Sequence, residues 1–149
     1  MKTETKLVHF SEGIELESGE KLNSFDLMLE TYGELNESKS NAILLCHAFS
    51  GNHHAAGSSE DFGTGWWDQL VGPGKSIDTN KYFIVCCNNL GGCAGSSGPS
   101  SINPSSQKIF GKSFPQVSVL DWVNSQKMLM DKLNIGCWHC LLYTSPSPR

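Results

Sequence analysis

The stretch AILLC at residues 42–46 decides how the fold is interpreted. It is a short apolar run without the alternation of a half-buried strand. A strand that is covered on both faces, as in a mostly parallel sheet, has this pattern. A second run of the same kind, YFIVCC, lies at residues 82–87. Together the two runs predict an α/β architecture with a mostly parallel central sheet.

Residues 23–32 precede the first apolar run and show a different pattern. Apolar and β-branched side chains fall on one parity there, as in a half-buried strand. These side chains are Phe25, Leu27, Leu29 and Thr31. Residues 33–40 are polar and turn-like, so they should connect this strand to the buried one.

A helix is predicted to follow residue 118. Ser118 is a suitable N-cap, and Asp121 stands three residues later, in the capping-box position. The helix should end near Leu133, and residues 135–139 should begin the next strand. The predicted buried face has helical spacing and consists of Val119, Trp122, Val123, Met130 and Leu133.

Two long connections surround the second apolar run. Residues 47–81 are rich in Gly, His, Ser and Trp, and residues 88–116 are rich in Gly and Ser with three prolines. Composition alone allows a disordered linker for the second connection. Because apolar residues and fixed Asn-Pro and Gly-Pro turns are dispersed through it, we expect an ordered loop that lines a site.

Composition describes an ordinary globular chain of 149 residues, enough for one domain with its own core. A net charge of −4 argues against nucleic acid or an anionic membrane surface as the main partner. No apolar run approaches the roughly 18 residues that span a bilayer, and the first ten residues lack the apolar core of a signal peptide. The expected location is the cytoplasm.

Six cysteines raise the question of disulfides or metal. Cys46, Cys86 and Cys87 lie in or beside apolar runs, where a free thiol behaves as a small buried hydrophobe. We therefore expect them to be reduced and structural. Cys137 and Cys140 form a single C-x-x-C pair, which is a weak zinc or redox signal without a second pair.

The segment CHAFSGNHHAAG at residues 46–57 directly follows the predicted buried strand. In α/β hydrolases a loop in this place donates one backbone N–H to the oxyanion hole. The small residues around Phe49 suit such a turn, with the Phe49 N–H as donor. A plain strand-to-loop turn is the alternative, and spacing does not separate the two.

Other motifs favour packing over chemistry. Adjacent His53 and His54 rarely point at one metal ion, and no further ligand completes a set at metal spacing, so a polar loop pair is expected and no metal site is predicted. Ser96 and Ser97 lie in GSSGP, whereas a nucleophile elbow is G-x-S-x-G, a pattern absent from the chain. They are interpreted as turn and pocket residues. The neighbouring pair Trp66–Trp67 fits either packing or a pocket wall.

A series of short motifs resembles one enzyme family in both order and spacing. They are LETYG (29–33), CHA and HHAAG (46–57), GWWDQLVGPGK (65–75), NNLG (88–91), GSSGPSSINP (95–104), SFP (113–115) and DW (121–122). The chain resembles the homoserine O-acetyltransferase family from about residue 10 to residue 139. Gly92 stands where the family usually has Ser.

The resemblance implies an α/β-hydrolase fold and transfer of an acyl group from acyl-CoA to the hydroxyl of homoserine, in methionine biosynthesis. It implies a ping-pong mechanism through an acyl-serine with a Ser-His-Asp triad. Phe49 would supply one oxyanion amide, and Ser96, Ser97 and Gly98 would line the substrate tunnel. No resident cofactor is implied, with acetyl-CoA as co-substrate. The full-length family is commonly a homodimer.

The resemblance also implies that the chain carries roughly the first third of such an enzyme, truncated before the nucleophile elbow. Residues 1–139 would be the native part, and the serine, aspartate and histidine of the triad would lie beyond the chain. Residues 140–149, CLLYTSPSPR, resemble a translated sequencing adapter, and Arg149 is the only arginine. The chain is then expected to be inactive and marginally folded.

Three functional alternatives remain at this point. The first is the acyltransferase, with acetyl or succinyl donor undecided. The second is a serine hydrolase or esterase of the same fold, which would admit water to the acyl-enzyme where a transferase excludes it. The third is a non-catalytic binding module, which no motif in the sequence favours.

Overall fold

The computed structural model describes residues 1–143. Their one α-helix, α1, spans Val119–Lys132, and a 3-10 turn spans Gly111–Ser113. The strands are β1 (Thr3–Phe10), β2 (Ile14–Glu15), β3 (Lys21–Leu22), β4 (Phe25–Tyr32), β5 (Ala42–Cys46), β6 (Ser58–Ser59), β7 (Gly63–Thr64), β8 (Val71–Gly72), β9 (Ile77–Asp78), β10 (Phe83–Cys87), β11 (Ile102–Asn103), β12 (Lys108–Ile109) and β13 (Cys140–Tyr143).

The central sheet has five strands in the order β1-β4-β10-β5-β13. The pairs β10–β5 and β5–β13 are parallel, whereas β1–β4 and β4–β10 are antiparallel. The prediction of a mostly parallel sheet is therefore wrong for the described residues, whose sheet is mixed. The reason is that the chain reverses over residues 11–24, which contain the β2–β3 hairpin, so that β4 returns antiparallel beside β1.

Both faces of the sheet are covered, as the apolar runs predicted. On one face Phe25, Leu27 and Leu29 pack with Leu129 of α1. On the opposite face a second cluster joins Tyr32, Ile43, Leu45 and Ile84 to loop residues between β5 and β10. All four residues from Ala42 to Leu45 are buried, which explains the absence of alternation in β5.

Helix α1 has the predicted start, but its predicted buried face is only partly confirmed. Trp122, Met130 and Leu133 pack against the cluster of Phe25, Leu27 and Leu29, whereas Val119 is exposed. Ser118 accepts from the Asp121 N–H, and the Asp121 carboxylate accepts from the Ser118 N–H at 2.8 Å, which completes the capping box. The Asp121 carboxylate also accepts from the Glu17 N–H at 3.0 Å, and the side chain is fully buried. This contact turns the face of Asp121, Ser125 and Leu129 inward. Val123 is instead exposed.

The strand after α1 begins later than predicted. Residues 135–139 are irregular, and β13 starts at Cys140. This strand covers the edge of β5, with Leu142 packed against the second cluster, while Leu141 and Tyr143 are exposed. This edge of β5 is therefore covered within the described residues. Residues 144–149, the rest of the predicted tail, lie outside the described residues.

Within residues 1–143 no helix has the length and apolar character needed to cross a membrane.

Candidate functional site

The carboxyl ends of the parallel strands β5 and β10 meet at one edge of the sheet. The loops that follow them begin at His47 and Asn88. The Asn89 N–H donates to His47 Nε2 at 3.3 Å, so the two loops are directly joined. In open α/β sheets, ligands bind outside the carboxyl ends of the strands, and this edge is therefore the candidate site.

A cavity of about 430 Å³ lies between these two loops. Its wall is completed by the segment before α1 and by the first turn of the helix. Apolar and polar groups both contribute, as in small-molecule sites. The wall includes His47, Phe49, Asn88, Leu90, Phe114 and Trp122.

Phe49 occupies a tight turn at the mouth of this cavity. The Gly51 N–H donates to the Ala48 carbonyl at 2.7 Å, so Phe49 and Ser50 are the two central residues of the turn. The Phe49 side chain is 89% exposed, and its ring centroid lies 6.2 Å from that of Trp122. Within residues 1–143 the Phe49 N–H has no hydrogen-bond acceptor. An oxyanion donor needs such an unpaired amide, and the role of the Phe49 N–H as that donor stays a prediction.

His47 is the buried side chain at the base of this turn. Its Nδ1 lies 2.7 Å from the Ala48 carbonyl oxygen. Only 8% of the residue is exposed. Burial lowers the pKa of His47, although the hydrogen bond to Ala48 opposes the shift. The ring is therefore neutral near pH 7.

A second cavity of about 420 Å³ lies on the other side of the same turn. Trp66 and Trp67 line it and also pack against the second core cluster, so both interpretations of this pair hold. Their ring centroids are 5.1 Å apart, and Trp66 Nε1 donates to the Asn52 carbonyl at 3.0 Å. The tryptophans thereby fix the loop that leaves the Phe49 turn.

His54 belongs to a buried polar network rather than to a metal site. Its Nδ1 lies 2.8 Å from Glu30 Oε2, and its Nε2 lies 3.2 Å from the Gly63 carbonyl. The Tyr32 hydroxyl donates to the same Glu30 oxygen at 2.9 Å and accepts from the Ala55 N–H at 2.7 Å. The network attaches the loop after β5 to β4.

His53 is also buried, with 4% exposed, and burial lowers its pKa. Among the described residues its Nδ1 has no hydrogen-bond partner. No group of three or more His, Cys, Asp or Glu side chains within residues 1–143 could hold a metal ion.

Ser96 and Ser97 fasten the loop after β10 to β4, and Gly98 packs within that loop. The Ser96 hydroxyl accepts from the Met28 N–H at 3.0 Å and donates to the Asn88 carbonyl. The Ser97 hydroxyl accepts from the Asp26 N–H at 2.9 Å. A Cβ on Gly98 would lie 2.6 Å from the Gly92 carbonyl oxygen, so only glycine fits. None of the three residues lines the cavity of about 430 Å³ or the cavity of about 420 Å³ at this edge of the sheet, and their role as tunnel lining stays a prediction.

The cysteines take no part in the candidate site beyond Cys93, which touches the wall of the first cavity. All six are free. Burial raises the pKa of Cys86 and Cys87, so both stay protonated thiols, in agreement with the prediction of structural cysteines.

Sequence reasoning identified the Phe49 turn but missed Glu30 and Tyr32. A signal for them exists in the pattern of β4. Glu30 and Tyr32 share the parity opposite to Phe25 and Leu27, and a strand buried on both faces forces that glutamate inward. A buried carboxylate requires a hydrogen-bonding or charged partner. The sequence offers one in the neighbouring histidines His53 and His54, which follow β5.

Comparison with known proteins gives a consistent set of similarities. No protein-family model matches the chain. The homoserine O-succinyltransferase of Hahella chejuensis is 59% identical over 139 residues, which is 92% of this chain and 36% of that protein. That of Pseudomonas aeruginosa PAO1 is 58% identical over 133 residues, 88% of this chain and 35% of that protein. The chain thus spans about a third of the length of these relatives.

Solved structures share the fold at lower identity. A homoserine O-acetyltransferase from Bacillus anthracis superposes with a TM-score of 0.88 and 35% identity, covering 97% of this chain and 40% of that one. Esterase E22 superposes with a TM-score of 0.86 and 34% identity, covering 97% of this chain and 41% of that one. These matches confirm an α/β-hydrolase-like fold.

Proposed function

The chain belongs to the homoserine O-acyltransferase family, and from that premise we propose that it contributes the oxyanion side of an acyl-CoA:homoserine acyltransferase of methionine biosynthesis. The observation that carries the proposal is the unpaired Phe49 N–H at the mouth of a cavity between the carboxyl ends of β5 and β10. A thioester carbonyl placed there would develop negative charge on attack, and the amide would stabilise it.

The remaining chemistry would come from groups that this chain does not supply. An acyl-serine mechanism needs a nucleophile, a base and an orienting carboxylate. No G-x-S-x-G elbow occurs in the sequence, and the two serines of the GSSGP motif, Ser96 and Ser97, bond to the backbone of β4. We therefore place the triad in the two thirds of the relatives' length that this chain does not match.

For the acyl donor we favour succinyl-CoA over the acetyl-CoA of the sequence-based prediction. The relatives at 55–59% identity are named homoserine O-succinyltransferases, whereas two solved homoserine O-acetyltransferases are 35% and 23% identical. Donor preference follows from groups that contact the acyl tail, and more similar chains share more of those groups. We further propose a cytoplasmic enzyme that forms a homodimer when complete.

An esterase is the second candidate, favoured by the similarity to esterase E22. The two activities share the acyl-enzyme and differ in the acceptor that resolves it. A transferase must exclude water from the acyl-enzyme, whereas a hydrolase must admit it. The acceptor dependence of acyl release therefore distinguishes them.

The test is a chimera in which residues 1–139 replace the matching segment of the Hahella chejuensis enzyme. CoA release is measured from succinyl-CoA and acetyl-CoA, with and without homoserine. The proposal expects homoserine-dependent release, faster with succinyl-CoA. Release that is independent of homoserine would support the esterase. A chimera that folds like its parent, judged by circular dichroism, but releases no CoA would overturn the proposal.

Phe49 allows a sharp control within the same chimera. Phe49→Pro removes the backbone N–H, and proline suits the second position of a tight turn. Phe49→Leu keeps the N–H. We expect Phe49→Pro to lower kcat by about 100-fold to 1000-fold, the usual cost of one oxyanion donor, while Phe49→Leu stays within a few-fold of the unsubstituted chimera.

A further inference from the structure

We propose that His47 is a positioning residue, which sets the direction of the Phe49 N–H by holding the carbonyl of the same peptide unit. The catalytic consequence rests on the proposed function, since it needs the Phe49 amide to serve acyl transfer. The geometric part stands on the hydrogen bonds of the described residues alone.

The peptide unit between Ala48 and Phe49 carries both groups. In a trans peptide the C=O and N–H lie in one plane and point in opposite directions. The Ala48 oxygen accepts from the Gly51 N–H at 2.7 Å and from His47 Nδ1 at 2.7 Å. Two donors on one oxygen hold the peptide plane more firmly than the turn hydrogen bond does alone. Fixing the oxygen on the His47 side directs the Phe49 N–H to the opposite side.

The other ring nitrogen decides which tautomer makes this contact. His47 Nε2 faces the Asn89 N–H, so it must be the unprotonated acceptor, and the single ring hydrogen must lie on Nδ1. The side chain therefore donates on one side and accepts on the other. In doing so it joins the turn after β5 to the loop after β10, the two walls of the cavity.

Two substitutions separate these two hydrogen bonds. His47→Asn places an amide N–H near the position of Nδ1 and loses the acceptor at Nε2. His47→Gln places an amide oxygen near the position of Nε2 and loses the donor at Nδ1. If peptide positioning is the role of His47, asparagine should rescue function and glutamine should not, although both are neutral amides of similar polarity.

The kinetic test uses the chimera of residues 1–139. We expect His47→Gln and His47→Ala to lower kcat by about 10-fold to 100-fold, the scale of a misplaced catalytic group, with KM changed less than about twofold. His47→Asn should stay within about threefold of the unsubstituted chimera. Equal loss in the asparagine and glutamine variants would overturn the proposal, as would a loss confined to KM.

A second measurement keeps the geometric claim testable without activity. In the ¹⁵N-labelled 149-residue chain, long-range ¹H–¹⁵N spectra should show His47 neutral with its hydrogen on Nδ1. The Phe49 amide resonance should be nearly unchanged in His47→Asn and displaced in His47→Gln. The opposite tautomer would overturn the proposal. If the unsubstituted chimera were inactive while these spectra agreed, the proposed function would fail and the positioning geometry would stand.

Discussion

Glu30 is the buried carboxylate around which the loop after β5 is ordered. It is 5% exposed and accepts from the Tyr32 hydroxyl while facing His54 Nδ1 at 2.8 Å. Removing one member of a buried, hydrogen-bonded pair leaves the other without its partner, which costs more than the pair contributes. Residues that do not line the cavity of about 430 Å³ thus hold the loop that carries the Phe49 turn.

We expect Glu30→Gln to lower the free energy of unfolding by about 2–4 kcal/mol, because the amide keeps the shape of the side chain but loses its charge. The matched control is Glu34→Gln, since Glu34 pairs with Lys2 at 2.9 Å on the surface, where such a pair contributes about 0–1 kcal/mol. Urea unfolding of the 149-residue chain measures both. Equal midpoints for the two variants would contradict the buried network.

Protonation of His47 and His53 should destabilise the fold in mild acid. Burial lowers the pKa of both below the ordinary value of 6.5. The hydrogen bond to the Ala48 carbonyl opposes this shift in His47, and the charge of Glu30 opposes it in His53. The neighbouring His54 lowers the pKa of His53 further. The unfolded chain then binds more protons than the folded chain below about pH 6.5, so the free energy of unfolding falls as pH falls.

Each of these histidines should contribute a slope of at most about 1.4 kcal/mol per pH unit. Urea midpoints measured from pH 7.5 to pH 5 check the expectation, and His53→Gln should make the dependence shallower. The exposed His9, which pairs with Asp26 at 2.7 Å, provides the comparison through His9→Gln. A midpoint that rises on acidification would show that other groups dominate.

The residues of the site differ in how far sequence could identify them. Phe49 follows a recognisable strand and a small-residue turn, both of them local features. The roles of Ser96 and Ser97 depend on their contacts with Asp26 and Met28, about 70 residues away in the chain, and no local pattern carries that information. Glu30 was missed although the pattern of β4 carries a signal for it, because its partner His54 lies 24 residues away in the chain.

At the scale of elements, α1 shows how one tertiary contact overrides a pattern. Its limits and capping box follow from local chemistry and were predicted. Its orientation depends on the contact between Asp121 and the Glu17 N–H, which brings a polar residue inside and leaves Val119 and Val123 69% and 52% exposed. Hydrophobic periodicity alone assigned these valines to the core.

A pair of substitutions in α1 tests this orientation. Leu129→Ala should lower the free energy of unfolding by about 2–5 kcal/mol, because Leu129 is fully buried in the first core cluster. Val123→Ala should change it by less than about 0.5 kcal/mol, since alanine also has the higher helix propensity. Thermal or urea unfolding measures both, and a larger loss for Val123→Ala would restore the face predicted from periodicity.

The strand β13 shows that a short apolar segment is sufficient to form an edge strand of the sheet. Cys140–Tyr143 pairs with β5 through backbone hydrogen bonds and places Leu142 on the second core cluster. An apolar tetrapeptide with alternating exposure can meet these demands whatever its origin. Pairing of Cys140–Tyr143 is therefore compatible with the proposal that residues 140–149 are a non-native tail.

For the whole molecule, the apolar runs predicted a sheet covered on both faces, and the two core clusters confirm it. The apolar pattern could not predict the direction of β1 and β4, because burial constrains which residues face inward and not which way a strand runs. The motif series predicted more than periodicity did, because it indicated the homoserine acyltransferase family. The relatives at 55–59% identity confirm that family.

The 149-residue chain by itself should have no acyltransferase activity. The proposed function assigns it one oxyanion amide and a cavity wall, but its sequence contains no G-x-S-x-G elbow, so it should release no CoA above the buffer blank from succinyl-CoA or acetyl-CoA with homoserine. A thiol-detection assay on the pure chain measures this, with the chimera as positive control. Homoserine-dependent release by the chain alone, abolished by Ser96→Ala or Ser97→Ala, would place a nucleophile within it and overturn the assignment of the triad to the unmatched part of the family.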